Sequence, residues 1–189
     1  AYETSLRDEV GTKRQEFGLA DVLGVRFVSG PRGIVKNTYV ALNGDHQINA
    51  GYDGAGRIMG GTRLMAVEPA AGATQPFLYV PDFPDLPMEE VYPRKAPEGA
   101  AVVARDTGHG GRSVYIPWNI GEIFWEVFAV DHARLIGNAV GWALGKPSRV
   151  TVDGPGLVDL SVREGADGLT VSLMNLTNPM MLKGPVREV

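Results

Sequence analysis

The sequence changes its period once, at Gly145-Lys146-Pro147, and that change limits the possible folds more than any other feature. Ahead of it, Leu135, Ile136, Ala139, Val140, Ala143 and Leu144 recur at helical spacing, which sets them on one stripe of a helix. Asp131 stands where an N-cap would, Gly145 where the helix would end, and Pro147 just beyond it. The spacing predicts a helix over 131–145 with that stripe buried. Behind Pro147 the period drops to two. Val158, Leu160 and Val162 alternate with Asp159, Ser161 and Arg163, and Leu169, Val171 and Leu173 alternate with Thr170, Ser172 and Met174. Three short strands are expected there, over 149–153, 157–163 and 169–176, antiparallel and with one buried face. The expected domains are therefore 1–147, mixed α/β, and 148–189, all β.

Turn chemistry punctuates the first part. A short helix is expected at 18–23, with Gly24 at its C-terminus. A strand at 25–28 should be cut by Ser29-Gly30-Pro31. Strands are read at 36–42, 62–67 and 77–80, and a short helix at 46–49. A hairpin is read from 100–105 and 113–117 around Asp106-Thr107-Gly108-His109-Gly110-Gly111. Between 81 and 97 five prolines exclude regular helix or sheet interiors and predict a long surface loop, of the kind that often makes partner contacts.

Charge and composition exclude several functions. Eighteen basic and 22 acidic residues give a net charge of −4, without the basic excess of a nucleic-acid binder or of a protein attracted to anionic membranes. The apolar runs are too short to span a bilayer. There is no cysteine, hence no disulfide, thiolate metal site or cysteine nucleophile. The compartment stays open, with the cytoplasm slightly favoured. The stretch 51–61, GYDGAGRIMGG, has neither a phosphate-loop nor a dinucleotide-binding pattern, and no GxSxG elbow occurs. The three histidines, His46, His109 and His132, lack metal-ligand spacing. No cofactor, metal or catalytic residue is expected.

Weak substrate-binding candidates remain. Asp8 and Glu9 lie in an acidic cluster with Glu3, which reads equally as a solvated loop paired with Arg7, Lys13 and Arg14. His109 sits in a glycine-rich turn that suits unusual backbone angles. Trp118 and Trp125 belong to an aromatic run, Tyr115 to Phe128, that could stack on sugars or fill a core.

Three segments carry a family resemblance. ETSLRDEVGTKRQEFGLADVLGV (3–25) resembles a motif of the form ETSLYDE…R..F.LADLFGV. It occurs in class I glutamine amidotransferase-like domains appended to bacterial glycoside hydrolases. These include the β-galactosidase trimerisation domain of family 42 and α-L-fucosidase-like glycosidases. GRSVYIPWNIGEIFWE (111–126) with DHARLIGNAVGWALG (131–145) resembles that domain's last strand and helix. LTVSLMNLTNPMMLKGPVREV (169–189) resembles the start of the β-sandwich that follows it. Arg7 departs from the pattern, which has an aromatic residue there.

The resemblance implies a flavodoxin-like α/β sheet lacking its first elements, then sandwich strands. It places the glycosidase carboxylates in an absent upstream barrel. With no cysteine, amidotransferase thiol chemistry is excluded. The expected function is a non-catalytic accessory and oligomerisation region of a larger carbohydrate-active enzyme. The expected partners are another copy, the parent barrel, or a carbohydrate. The alternatives are a free-standing carbohydrate-binding module using Trp118 or Trp125, or the glycosidase activity of the parent. An excised sheet should also leave an open edge that recruits another strand.

Overall fold

The computed structural model describes residues 3–36, 38–52, 54–81, 95–154 and 158–176. Most of the proline-rich loop expected at 81–97 lies outside them, as does the end of the segment likened to a sandwich. The chain divides into two compact units, Ala1–Gly145 and Lys146–Val189.

In the first unit a short helix, α1 (Ala20–Leu23), leads into β1 (Val25–Arg32), which pairs antiparallel with β4 (Leu64–Pro69). A separate five-stranded sheet contains β2 (Tyr39–Leu42), β3 (Arg57–Met59), β5 (Thr74–Val80), β6 (Ala100–Asp106) and β7 (Arg112–Tyr115). Its spatial order is β3-β2-β5-β6-β7. Two helices follow, α2 (Ile120–Val127) and α3 (Val130–Leu144).

This architecture overturns the flavodoxin-like expectation. Every pairing among the described strands is antiparallel, and none uses the strand–helix–strand crossover that a parallel sheet requires. The connections explain why: residues 107–111 alone join β6 to β7, far too few for a crossover helix. The first unit is an antiparallel β structure carrying helices at its C-terminal end.

Strand β6 organises the packing. Its residues pack into two hydrophobic clusters. Val102 and Ala104 join Val40, Ile48, Phe77, Trp118 and Leu135, while Ala100 and Val103 join Leu6, Phe17, Val25, Met65 and Tyr115. On the second side Phe17 meets Phe27 and Tyr115 edge-on, at 5.7 and 5.5 Å between centroids.

Several local expectations are also corrected. Strand β1 runs through Ser29-Gly30-Pro31, absorbing the misfit as register shifts against β4. Helix α3 begins at Val130, with Asp131 inside its first turn, where a carboxylate still favours the positive helix end and pairs with Arg134 at 3.6 Å. Its inward stripe is His132, Leu135 and Ala139, with Trp142 packed beside them. Val140 and Leu144, expected inside, are 63% and 51% exposed.

The second unit holds one hairpin, β8 (Val158–Gly165) with β9 (Gly168–Asn175). The strand expected at 149–153 does not form. Arg149 instead pairs with Glu164 at 2.6 Å. Cross-strand partners Leu160–Leu173 and Val162–Val171 share a face, but that face is not buried: Val162, Val171 and Leu173 are all exposed. Among the described residues no helix is long and apolar enough to cross a membrane.

The burial of α3 predicts its mutational response. Leu135→Ala should lower the unfolding free energy of the chain by about 2–5 kcal/mol, and Val140→Ala by less than about 0.5 kcal/mol. Urea denaturation followed by circular dichroism measures both, and equal losses would mean the helix faces the other way.

Candidate functional site

After β7 the chain leaves its partner β6 and crosses to the other sheet. Met65 N–H donates to the Pro117 carbonyl at 2.8 Å, and Leu64 bridges to Trp118. Trp118 is 1% exposed and its indole N–H donates to the Ala101 carbonyl at 3.0 Å. It cannot stack on a sugar from solvent, because its ring is buried and its one donor is taken up by the Ala101 carbonyl.

Asn119 next to it joins three segments. Its Oδ1 accepts from the Thr62 and Arg63 amides, each at 3.0 Å, and its Nδ2 donates to Thr62 Oγ1 and Glu122 Oε2, also at 3.0 Å. These are all the bonds an amide side chain can be expected to make in such a site. Gly61 permits this approach. A Cβ there would lie 2.5 Å from Asn119 Oδ1 and 2.8 Å from the Trp118 ring.

Tyr115, Ile116, Trp118, Asn119, Ile120 and Glu122 line much of a groove of about 540 Å³ beside β7. The β7 strand is an edge of its sheet among the described residues. Burial, and after it the Glu3 carboxylate, holds the Tyr115 hydroxyl well above the usual tyrosine range, so it stays protonated. Glu122 is the groove's only carboxylate among the described lining residues, whereas glycoside hydrolysis by the common mechanisms uses two. A smaller cavity of about 120 Å³ lies between β4 and β6, with Met65, Val67, Ala101 and Trp118 in its walls. The groove suits an apolar occupant with a few polar contacts; its described lining residues include no nucleophile–base pair.

The remaining sequence candidates are not brought together here. Asp8 Oδ1 accepts from the Val10 and Thr12 amides at 3.1 and 2.7 Å, closing its own loop. Glu9 is exposed and faces Arg14 at 3.5 Å. His109 is exposed at the tip of the β6–β7 turn. Trp125 lies on α2, 58% exposed, with its ring edge-on to Phe128 at 5.7 Å. Among the described residues no group of three or more histidine or acidic side chains could hold a metal ion. Sequence reasoning missed Asn119 and Glu122. Their spacing places them one turn apart at the start of α2, but a lone Asn–Glu pair gives no signal until Thr62 is known to lie opposite.

No protein-family model matches the chain, and no curated protein matches it.

Asn119→Ala strands the Thr62 and Arg63 amides in a part-buried place. It should cost about 1–3 kcal/mol, read from denaturant midpoints. Glu9→Ala, on the exposed loop, should stay within about 0.5 kcal/mol of the parent.

Proposed function

We propose that this chain is a non-catalytic accessory region of a larger carbohydrate-active assembly, which it joins through an apolar helix face. One observation carries the association. The last turns of α3, residues 139–145, read AVGWALG and hold no polar side chain. Ala139 and Trp142 pack inward, while Val140, Gly141 and Leu144 face solvent. A helix end that is apolar all round belongs in an interior, so the outer side of these last turns calls for a cover. The β8–β9 hairpin presses the same demand by itself, since a two-stranded ribbon with an exposed aliphatic face is marginal in water. The carbohydrate part of the reading rests on the resemblance of residues 3–25, 111–126 and 131–145 to glycosidase-linked domains. That likeness is one of sequence motifs, since the flavodoxin-like fold it implied is not the one formed.

The sugar-binding alternative narrows to Trp125, the exposed indole of the two candidates.

Light scattering at tens of micromolar tests association. The parent chain should exceed its 20.2 kDa monomer mass, and the double substitution Val140→Lys/Leu144→Lys should return it to a folded monomer whose melting temperature no longer depends on concentration. A clean monomer with complete amide protection along α3 would overturn self-association. Oligosaccharide titrations that quench Trp fluorescence in the parent but not in Trp125→Ala would favour the binding module instead. Turnover of a nitrophenyl glycoside that is lost on mutating one acid of this chain would overturn the non-catalytic assignment.

A further inference from the structure

We propose that His46 is a pH-sensitive latch, which caps the segment 44–51 against α3 when neutral and releases the cap when protonated.

The segment is tied down at several points. Asn43 bonds the Pro76 and Gln75 carbonyls of β5, both at 2.8 Å. Tyr52 donates its hydroxyl to the Asp131 carbonyl at 2.7 Å. Between them, Asn138 of α3 donates to the Ile48 and Ala50 carbonyls at 3.0 and 2.8 Å, and the Ile48 side chain is fully buried. A single 3₁₀ turn, Gln47–Asn49, gives the segment its shape, and His46 is its N-cap in extended conformation. The cap bond runs from the Ile48 amide to His46 Nδ1 at 3.1 Å.

That bond uses a lone pair which exists only while Nδ1 carries no proton. On protonation the imidazole presents N–H to N–H, and the turn loses its cap. Among the described residues no carboxylate pairs with the imidazolium that would form. The ring lies 5.3 Å from Trp142 of α3. The same indole already has the Arg112 guanidinium 5.2 Å from its centre, and Arg112 is itself paired with Asp106 at 2.9 Å. Asp45 precedes His46 and is exposed. The charged groups of α3 near the segment are Asp131 and Arg134, which face each other at 3.6 Å, and Arg134 lies over Tyr52. Among the described residues no carboxylate bonds the imidazole.

Partial burial pulls the His46 pKa below its ordinary 6.5, in keeping with this geometry. The folded state then binds fewer protons at His46 than the unfolded one. The cap's contribution is whole above pH 6.5 and is lost as pH falls from there through the lower folded value.

Amide exchange on the intact chain tests the latch, expressed as protection factors so that the intrinsic pH dependence cancels. Between pH 7.5 and 5.5, protection at Ile48, Asn49 and Ala50 should fall about fivefold, the usual worth of one helix cap. Phe77 and Val102 in the sheet should hold theirs. His46→Asn keeps a capping oxygen that does not titrate, and its protection should be the same at both pH values. Flat protection in the parent would overturn the proposal. So would an equal loss in His46→Asn, which would move the effect to another group.

Discussion

The structure depends on one strand having no solvent side. Ala100, Ala101, Val102, Val103 and Ala104 are all buried, and a strand buried on both faces needs a covering layer on each. The β1–β4 pair and the amino-terminal segment supply one cover, and α3 with residues 44–52 supplies the other. Three alanines among these five keep the layers close. A larger side chain at Ala101 or Ala104 would have to push aside an aromatic ring or a helix, at the usual cost of overpacking. The two layers are also joined to each other, because the strand leaving β7 turns through Trp118 and Asn119 to reach β4. Trp118 bonds the central strand itself, and Asn119 bonds the start of β4's own approach. The groove beside β7 follows from that crossing. Of its polar groups, Asn119 is occupied in holding the layers together.

The parts legible in the sequence were those that local chemistry decides. The period of α3 stood out because fifteen residues repeat it, and the β6–β7 hairpin because glycines mark its turn. The stripe on α3 was read slightly rotated. Aliphatic spacing alone does not mark the inward face, which includes His132 and Trp142, whose rings pack against the core. Helix α2 was passed over because its aromatics looked like a core run, and its N-cap Asn119 spends its side chain on Thr62 and Arg63 instead of on its own helix. Strand β3 has three residues inside a glycine-rich stretch, too few to show a period. The fold class was missed for a different reason. Strand existence is a local matter, but β4 leaves the sheet of its sequence neighbours to pair with β1, and nothing within either strand announces that choice. The candidate site was scarcely legible at all, since Asn119 and the Thr62 and Arg63 amides that fix it are separated by more than fifty positions and are ordinary at each one.

The polar anchors of the α3 layer have a consequence in time. Asn138 reaches back to Ile48 and Ala50, the Asp131 carbonyl to Tyr52, and His132 to the Met59 carbonyl at 2.9 Å. Each closes a loop of some seventy to ninety residues, and contacts of that reach slow folding because chain entropy is lost before they form. On a ribosome, where the amino-terminal end emerges first, residues 44–59 are made long before the helix that fixes them. The sheet's inner face stays uncovered through that interval, with Phe77, Val102 and Ile58 open to other nascent chains. The helix that completes the layer is thus also the step that closes this face of the sheet to misassembly.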